Sequence, residues 1–220
     1  MTTGIMRWSA LLPQVDLGEL LRYAACRAPD EQTLALARQC AAEGTAVLRP
    51  ALCWREVALT VREDEVDLGF TRFSSRKLAD ALEGCERAVV FAATVGLDLD
   101  RLIARYGRVS PSRGLMMQAL GAERIEALCD AFCNWLAEEY APLKLRRRFS
   151  PGYGDLPLEG QRAIFDALQC HKEIGLYLNG SFLMSPTKSV TAIVGIGGAG
   201  MCQERSCAAC GKKDCDFRKE

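Results

Sequence analysis

One histidine is all the imidazole that this chain of 220 residues carries. A Ser–His–Asp triad or a two-histidine metal centre would have to use His171. That residue sits among "QCHKE" at a predicted helix end, where a solvent-facing histidine of the last turn is the better reading. Charge of one sign is missing too: Lys plus Arg total 28 and Asp plus Glu total 28. No global field therefore steers the chain to nucleic acid, and a phosphate-tracking role is not expected. It also lacks any run of about 18 apolar residues that could span a bilayer, and the N-terminus shows no apolar leader. The expectation is a cytoplasmic protein with no membrane partner.

What is present supports an ordinary core. Hydrophobic residues make up 49% of the chain and charged ones 25%, so it folds rather than staying disordered. The length suits one large domain, or a domain with an appendage. Eleven cysteines need a reason. Cys26, Cys40, Cys129 and Cys133 lie on apolar helical stripes and read as small reduced hydrophobes. Cys202, Cys207, Cys210 and Cys215 do not, because they crowd a polar C-terminal segment, "CQERSCAACGKKDC".

Periodicity orders the rest. Leu17, Leu20, Leu21 and Ala24 recur at helical spacing, and Asp30 caps a second helix expected to stop at Gly44. Val57, Leu59 and Val61 alternate, as do Val66, Leu68 and Phe70 beyond the turn "REDE", which predicts an antiparallel hairpin. Ser75 opens a short helix. The continuous apolar run "AVVFAATVG" (88–96) predicts a buried central strand. A long helix follows over 110–140, with Leu115, Ala119, Ala122, Ile125, Cys129, Phe132 and Leu136 on one stripe. Residues 174–200 read as two strands around a turn at Pro186, ending in glycines. No regular βαβ rhythm appears. The fold class is α+β: a mixed, largely antiparallel sheet flanked by helices, with a domain over 1–200 and a Cys-rich tail over 201–220.

Three motifs bear on function. Gly195, Gly197 and Gly200 satisfy G-x-G-x-x-G, but only 20 residues remain for the helix, strand and acid that a dinucleotide site needs, so the pattern is a decoy. The tail cysteines, spaced C-x4-C-x2-C-x4-C, predict one metal site, with free or redox thiols as the alternative. The spacing leaves zinc and an iron–sulfur cluster both open. The third is "RRRFSPGYGDLP" (146–157). Pro151 presets φ and Gly152 tolerates the positive φ of a type II turn, which is expected to expose an open edge of backbone N–H and C=O groups beside a guanidinium. Such a corner suits a small zwitterion or anion; a basic surface loop is the plainer alternative.

The block "RRFSPGYGDLPLEGQ", followed by "IGLYLNGSFLMSPTKSVTAIVGIG", resembles the activation (S-adenosylmethionine-binding) domain family of vitamin B12-dependent methionine synthase. Its R-x-x-P-G-Y core is similar to that family's ligand signature. "CERAVVFAATVGLDLD" (85–100) and "GAERIEALCD" (121–130) resemble the branch in which the domain is a separate protein. The resemblance implies that Arg148 pairs with the carboxylate of S-adenosylmethionine and that Ser150 and Tyr153 hold the ligand. It gives Pro151 and Gly152 the task of shaping the pocket, and puts Lys188 and Ser189 at its rim. No match exists for the acid that the fused enzyme supplies to the ligand amine, and Glu126 is the substitute.

The implied function is repair. A one-electron donor of low potential, such as flavodoxin or ferredoxin, reduces cob(II)alamin, and the bound sulfonium methylates the cob(I) product. No side chain acts as acid or base. Because D-x-H-x-x-G, the source of a lower cobalt ligand in many corrinoid proteins, is absent, the cobalamin arrives on a partner methionine synthase. The alternatives are an iron–sulfur electron-transfer or zinc-stabilised adaptor protein, and an activator of another corrinoid methyltransferase.

Overall fold

A computed structural model describes residues 12–198 and the backbone of 6–8. Cys202, Cys207, Cys210 and Cys215, and with them the expected metal site, lie outside the described residues. In chain order the elements are β1 (Met6–Trp8), α1 (Leu17–Tyr23), α2 (Glu31–Val47), β2 (Ala51–Ala58), β3 (Thr60–Arg62), β4 (Glu65–Asp67), β5 (Arg72–Ser74), α3 (Arg76–Ala81) and β6 (Cys85–Thr94). There follow α4 (Leu97–Val109), α5 (Pro111–Glu139), β7 (Lys144–Leu145), a 3-10 turn (Leu158–Gly160), α6 (Gln161–Leu168), α7 (Cys170–Ile174), β8 (Tyr177–Leu178), β9 (Met184–Ser185) and β10 (Ser189–Gly197). The main sheet has the order β1-β2-β6-β10-β7, and all its pairings are antiparallel. The class is α+β, as the sequence predicts.

The strand predicted from its apolar run is the middle one. An antiparallel sheet commonly leaves one face in water and so alternates. Here both faces are covered. Val89, Phe91, Ala93 and Val95 enter a core shared with α1, α2 and α5, while Ala88, Val90 and Ala92 enter a second core with α3, α6 and α7. With neither face solvated, no polar residue interrupts the strand's inner stretch. Phe132 of α5 docks the long helix on the sheet, edge-on to Phe91 at 5.1 Å and near Trp54 at 6.0 Å.

Several boundaries differ from expectation, each for a tertiary reason. Asp30 caps α2, accepting from Thr33 N at 2.8 Å, but the helix runs through Gly44 to Val47. Gly44 is a crossing point: a Cβ there would collide with Leu120 and sit 3.2 Å from Met117 Sδ. It lets α2 lie close against α5 and does not end the helix. The hairpin is real but is confined to β3 and β4, with Val61 opposite Val66; Val57 belongs to β2, a main-sheet strand that the sequence reading missed. Leu115 is 52% exposed and leaves the predicted stripe. Of the predicted 174–200 segment, the described residues 174–198 give one long strand, β10, and only a two-residue pair, β8 with β9, before it. Gly195 and Gly197 lie within β10, where a Cβ on Gly195 would meet Cys85 Sγ at 2.8 Å.

Candidate ligand-binding site

The segment after β7 continues the sheet edge. Phe149 N donates to Ile193 O at 2.9 Å, and Ile193 N donates back to Phe149 O at 2.8 Å. The chain then turns as predicted: Tyr153 N donates to Ser150 O at 3.1 Å and Gly152 has φ +85. The turn folds on itself, since Gly152 N donates to Leu156 O and Leu156 N to Tyr153 O. These N–H groups are therefore committed within the turn, contrary to the expectation of an open backbone edge. What the turn shows to solvent is the ring of Tyr153, 72% exposed and edge-on to Phe149 at 6.0 Å. Asp155 fixes the turn to the rest of the protein. It accepts from Ser75 Oγ, from Arg76 N at 3.0 Å and from Lys77 N at 3.3 Å, at the head of α3.

The three arginines go three ways. Arg146 donates to Glu83 O at 2.8 Å, on the side of the sheet that holds Leu82 and Cys85. Arg147 is exposed. Arg148 turns to α5, its Nη2 2.8 Å from Glu126 Oε2 and its Nη1 2.8 Å from Asp130 Oδ1. Glu126 and Asp130, one turn apart, share a helix face and grip one guanidinium from two sides. Nη1 has almost no exposed surface and, despite the short approach to Asp130, makes no hydrogen bond of acceptable geometry among the described residues.

The surroundings of Arg148 are mostly neutral. Cys129 and Cys133 lie beside it, and burial pushes both thiols up despite the nearby guanidinium. Tyr23 of α1 is raised by burial first and by the charge of Glu126 second. Sequence reading offered Glu126 as the ligand's acid but did not pair it with Arg148, and it missed Tyr23 altogether. The detectable signal was the i,i+4 pair Glu126 and Asp130, interleaved with the i,i+4 pair Cys129 and Cys133.

Beyond Ser150 opens a cavity of about 340 Å³, bounded by Ser150, Pro151, Gln161, Phe182, Leu183 and Thr191. Gln161, 2% exposed, ties its walls together by donating to Phe182 O, with Thr191 Oγ1 donating to Gln161 Oε1 at 3.4 Å. Arg162 lies 5.3 Å over the Phe182 ring. Ser189 is also in the lining, but its hydroxyl donates to Pro186 O at 2.8 Å. Lys188 does not face the same way: its methylenes lie across Gly121 of α5, and burial lowers its ammonium, opposed by Asp100. Ser150, Pro151 and Ser189 thus meet at one cavity, and Arg148 pairs with Glu126 two residues before Ser150, whereas Gly152, Tyr153 and Lys188 do not line that cavity. A larger cleft of about 470 Å³ lies between α6 and α7 around His171, whose Nε2 is 2.6 Å from Tyr177 Oη. None of the residues expected to hold ligand lines it.

No protein-family model matches the chain, and no curated protein does. Among solved structures it is similar to the crystal structure of the MetH reactivation domain bound to AdoHcy, with a TM-score of 0.62 and 15% identity over 91% of this chain and 80% of that one. The chain has the fold of the MetH reactivation domain. At that identity the likeness to the MetH reactivation domain extends to architecture alone. The bound AdoHcy is a property of that protein.

Proposed function

We propose that the chain binds S-adenosylmethionine along the edge formed by residues 148–153 and presents its methyl group to the reduced cobalamin of a partner methionine synthase. The observation that carries this reading is Arg148: a guanidinium with a buried Nη1 that makes no hydrogen bond among the described residues, two residues before Ser150 in the wall of a cavity of small-molecule size, on a fold whose solved neighbour holds AdoHcy. The residues fit such a ligand. Arg148 takes the carboxylate in a charge-assisted pair, and Glu126, already 2.8 Å from that guanidinium, takes the ammonium. Ser150, Pro151 and Thr191 bound the space for the adenosine, with Gly152 and Tyr153 closing the turn beside it and Ser189 at the rim, while Lys188, packed across Gly121, stays outside it. The ligand supplies an electrophilic methyl group. The protein's own task is to hold and orient it.

A partner that brings a flat macrocycle to this edge meets Tyr153 and Leu183, 72% and 60% exposed. Electrons come from a separate low-potential donor such as flavodoxin or ferredoxin. Two measurements test the proposal. Calorimetry is expected to show S-adenosylmethionine binding that Arg148→Ala weakens by about 1.5–3 kcal/mol, the scale of a hydrogen bond between charged groups. Mixing with cob(II)alamin-loaded methionine synthase, a low-potential reductant and S-adenosylmethionine is expected to restore the methylcobalamin spectrum faster than the same mixture without this protein. Equal rates would end the repair assignment even if the ligand binds.

A further inference from the structure

Resting on the ligand reading above, we infer that Gln161 is a specificity-determining residue: its side-chain amide, locked in one orientation, reads the 6-amino edge of the adenine and excludes 6-oxopurines. Pro151, Leu158, Phe182, Leu183, Met184 and Val190 give the cavity beyond Ser150 its apolar surface, so its few polar side chains decide what it selects. Two of those are committed elsewhere. Thr187 Oγ1 donates to Asp100 Oδ1 at 2.6 Å, and the Ser189 hydroxyl donates to Pro186 O at 2.8 Å. Gln161 and Thr191, each 2% exposed, also line the cavity. The Gln161 amide has two N–H donors and two acceptor lone pairs. Among the described residues one N–H goes to Phe182 O and one lone pair accepts from Thr191 Oγ1 at 3.4 Å, so a donor and an acceptor remain. A buried amide half used in this way has bonds to offer a ligand.

The two ends of a primary amide are nearly the same shape, and one free to turn over would accept either kind of base. Gln161 is not free. A carbonyl only accepts, so Phe182 O requires Nε2, and not Oε1, to face it. That carbonyl is itself held. Phe182 has φ +59, a left-handed conformation uncommon for a residue with a side chain, and its N–H donates to Asn179 O at 3.1 Å. Asn179 Oδ1 accepts from Ser181 N and Leu183 N, both at 2.9 Å, which pins the loop on either side of Phe182. Oε1 is therefore a fixed acceptor beside the remaining N–H. Adenine supplies the complement, with N6–H for the acceptor and a ring nitrogen for the donor. A 6-oxopurine sets O6 against Oε1, acceptor to acceptor. Turning the amide over to relieve that contact would break the bond to Phe182 O.

The test is calorimetric titration of S-adenosylhomocysteine and S-inosylhomocysteine, which differ only in the amino and oxo groups at position 6, into the full chain. Wild type is expected to prefer the adenosyl ligand by roughly ten- to hundredfold in Kd, the discrimination of a good two-point contact between an amide and a base. Gln161→Met, close in shape but without the amide, is expected to bring the ratio toward unity. Arg148→Ala, at the other end of the ligand, is expected to weaken both ligands by the same factor and keep the ratio. If Gln161→Met loses its cooperative unfolding transition, Gln161→Asn takes its place, since it keeps an amide but withdraws it by one methylene and is also expected to lose the preference. Should wild type bind both ligands equally, or a folded Gln161 variant keep the wild-type ratio, Gln161 is a structural tie alone and the inference is overturned while the ligand reading stands. If wild type binds neither, both fall together.

Discussion

Two arginine–carboxylate clusters sit within one stretch of α5, and they differ in how completely their polar atoms are used. Arg124 is 1% exposed. It grips Glu123 through Nε and Nη2, and donates to Pro13 O at 2.6 Å and Gln14 O at 3.2 Å. Glu123 also accepts from Asp16 N at 3.2 Å. That cluster is closed, and it fastens the segment before α1 to the long helix. Arg148, with Glu126 and Asp130, is open: it is partly exposed, and among the described residues its Nη1 makes no hydrogen bond. A closed network stabilises; an open one has bonding capacity to give a ligand.

The largest effect that separates the two is on stability. Arg124→Ala leaves Glu123 buried without its cation and frees two backbone carbonyls, so it is expected to destabilise by about 3–5 kcal/mol, the cost of breaking a buried pair. Arg148→Ala removes a cation that is 21% exposed from two acids that are 38% and 52% exposed and can be rehydrated, so it is expected to cost less, about 1–2 kcal/mol of stability, while abolishing most ligand affinity. Denaturant unfolding of both variants measures this. If Arg148→Ala unfolds the protein as readily as Arg124→Ala does, Arg148 is a structural residue and the contrast between open and closed clusters fails.

How far these clusters were legible beforehand follows from what each depends on. Local chemistry was readable: Asp30 and Ser75 as caps, the type II turn from Pro151 and Gly152, and β6 from an apolar run that only double coverage allows. Features set by distant partners were not. Gly44 reads as a helix stop until Leu120 and Met117 are beside it. β2 hid because its burial does not alternate, Leu52, Cys53 and Trp54 being buried in succession, and its end at Val57 and Ala58 merged with the hairpin that follows. The adjacency of Arg148 to Glu126 and Asp130 depends on the register of the 144–149 edge against β10, which spacing along the chain does not encode.

Asp155 offers an intermediate effect, because it lies on the ligand turn yet belongs to a closed network. The Ser75 hydroxyl above all, then the N–H groups of Lys77 and Arg76, hold its carboxyl below the ordinary value of 3.8. A depressed folded-state value means that this contribution to stability is complete above the unfolded value and is lost as pH falls through the folded one. Wild type is therefore expected to exceed Asp155→Asn in stability by a constant amount above about pH 5, and the gap is expected to shrink as pH drops below the unfolded value near 3.8. Unfolding midpoints measured from pH 7 down to pH 3 test this. A gap that widens toward acid would show that Asp155 is not held in its charged form.

The smallest expected effect belongs to Arg146, two residues from Arg148 on the same basic run. In a regular strand residues two apart share a face. Here they do not, because Leu145 enters the α5 core while Arg146 lies against Cys85 and Leu82, and Arg148 is back beside α5. The alternation slips by one residue at Arg147. Arg146→Ala removes a charged donor from Glu83 O at 2.8 Å, so a stability loss of about 1 kcal/mol is expected. Ligand affinity is expected to stay within about twofold of wild type, since no bond to the ligand edge is touched and a solvent-screened charge at that distance contributes little. Calorimetry on Arg146→Ala and Arg148→Ala side by side decides the point. Equal losses in the two variants would mean that the basic run attracts the ligand by charge alone, and the open cluster around Arg148 would have no special part in binding.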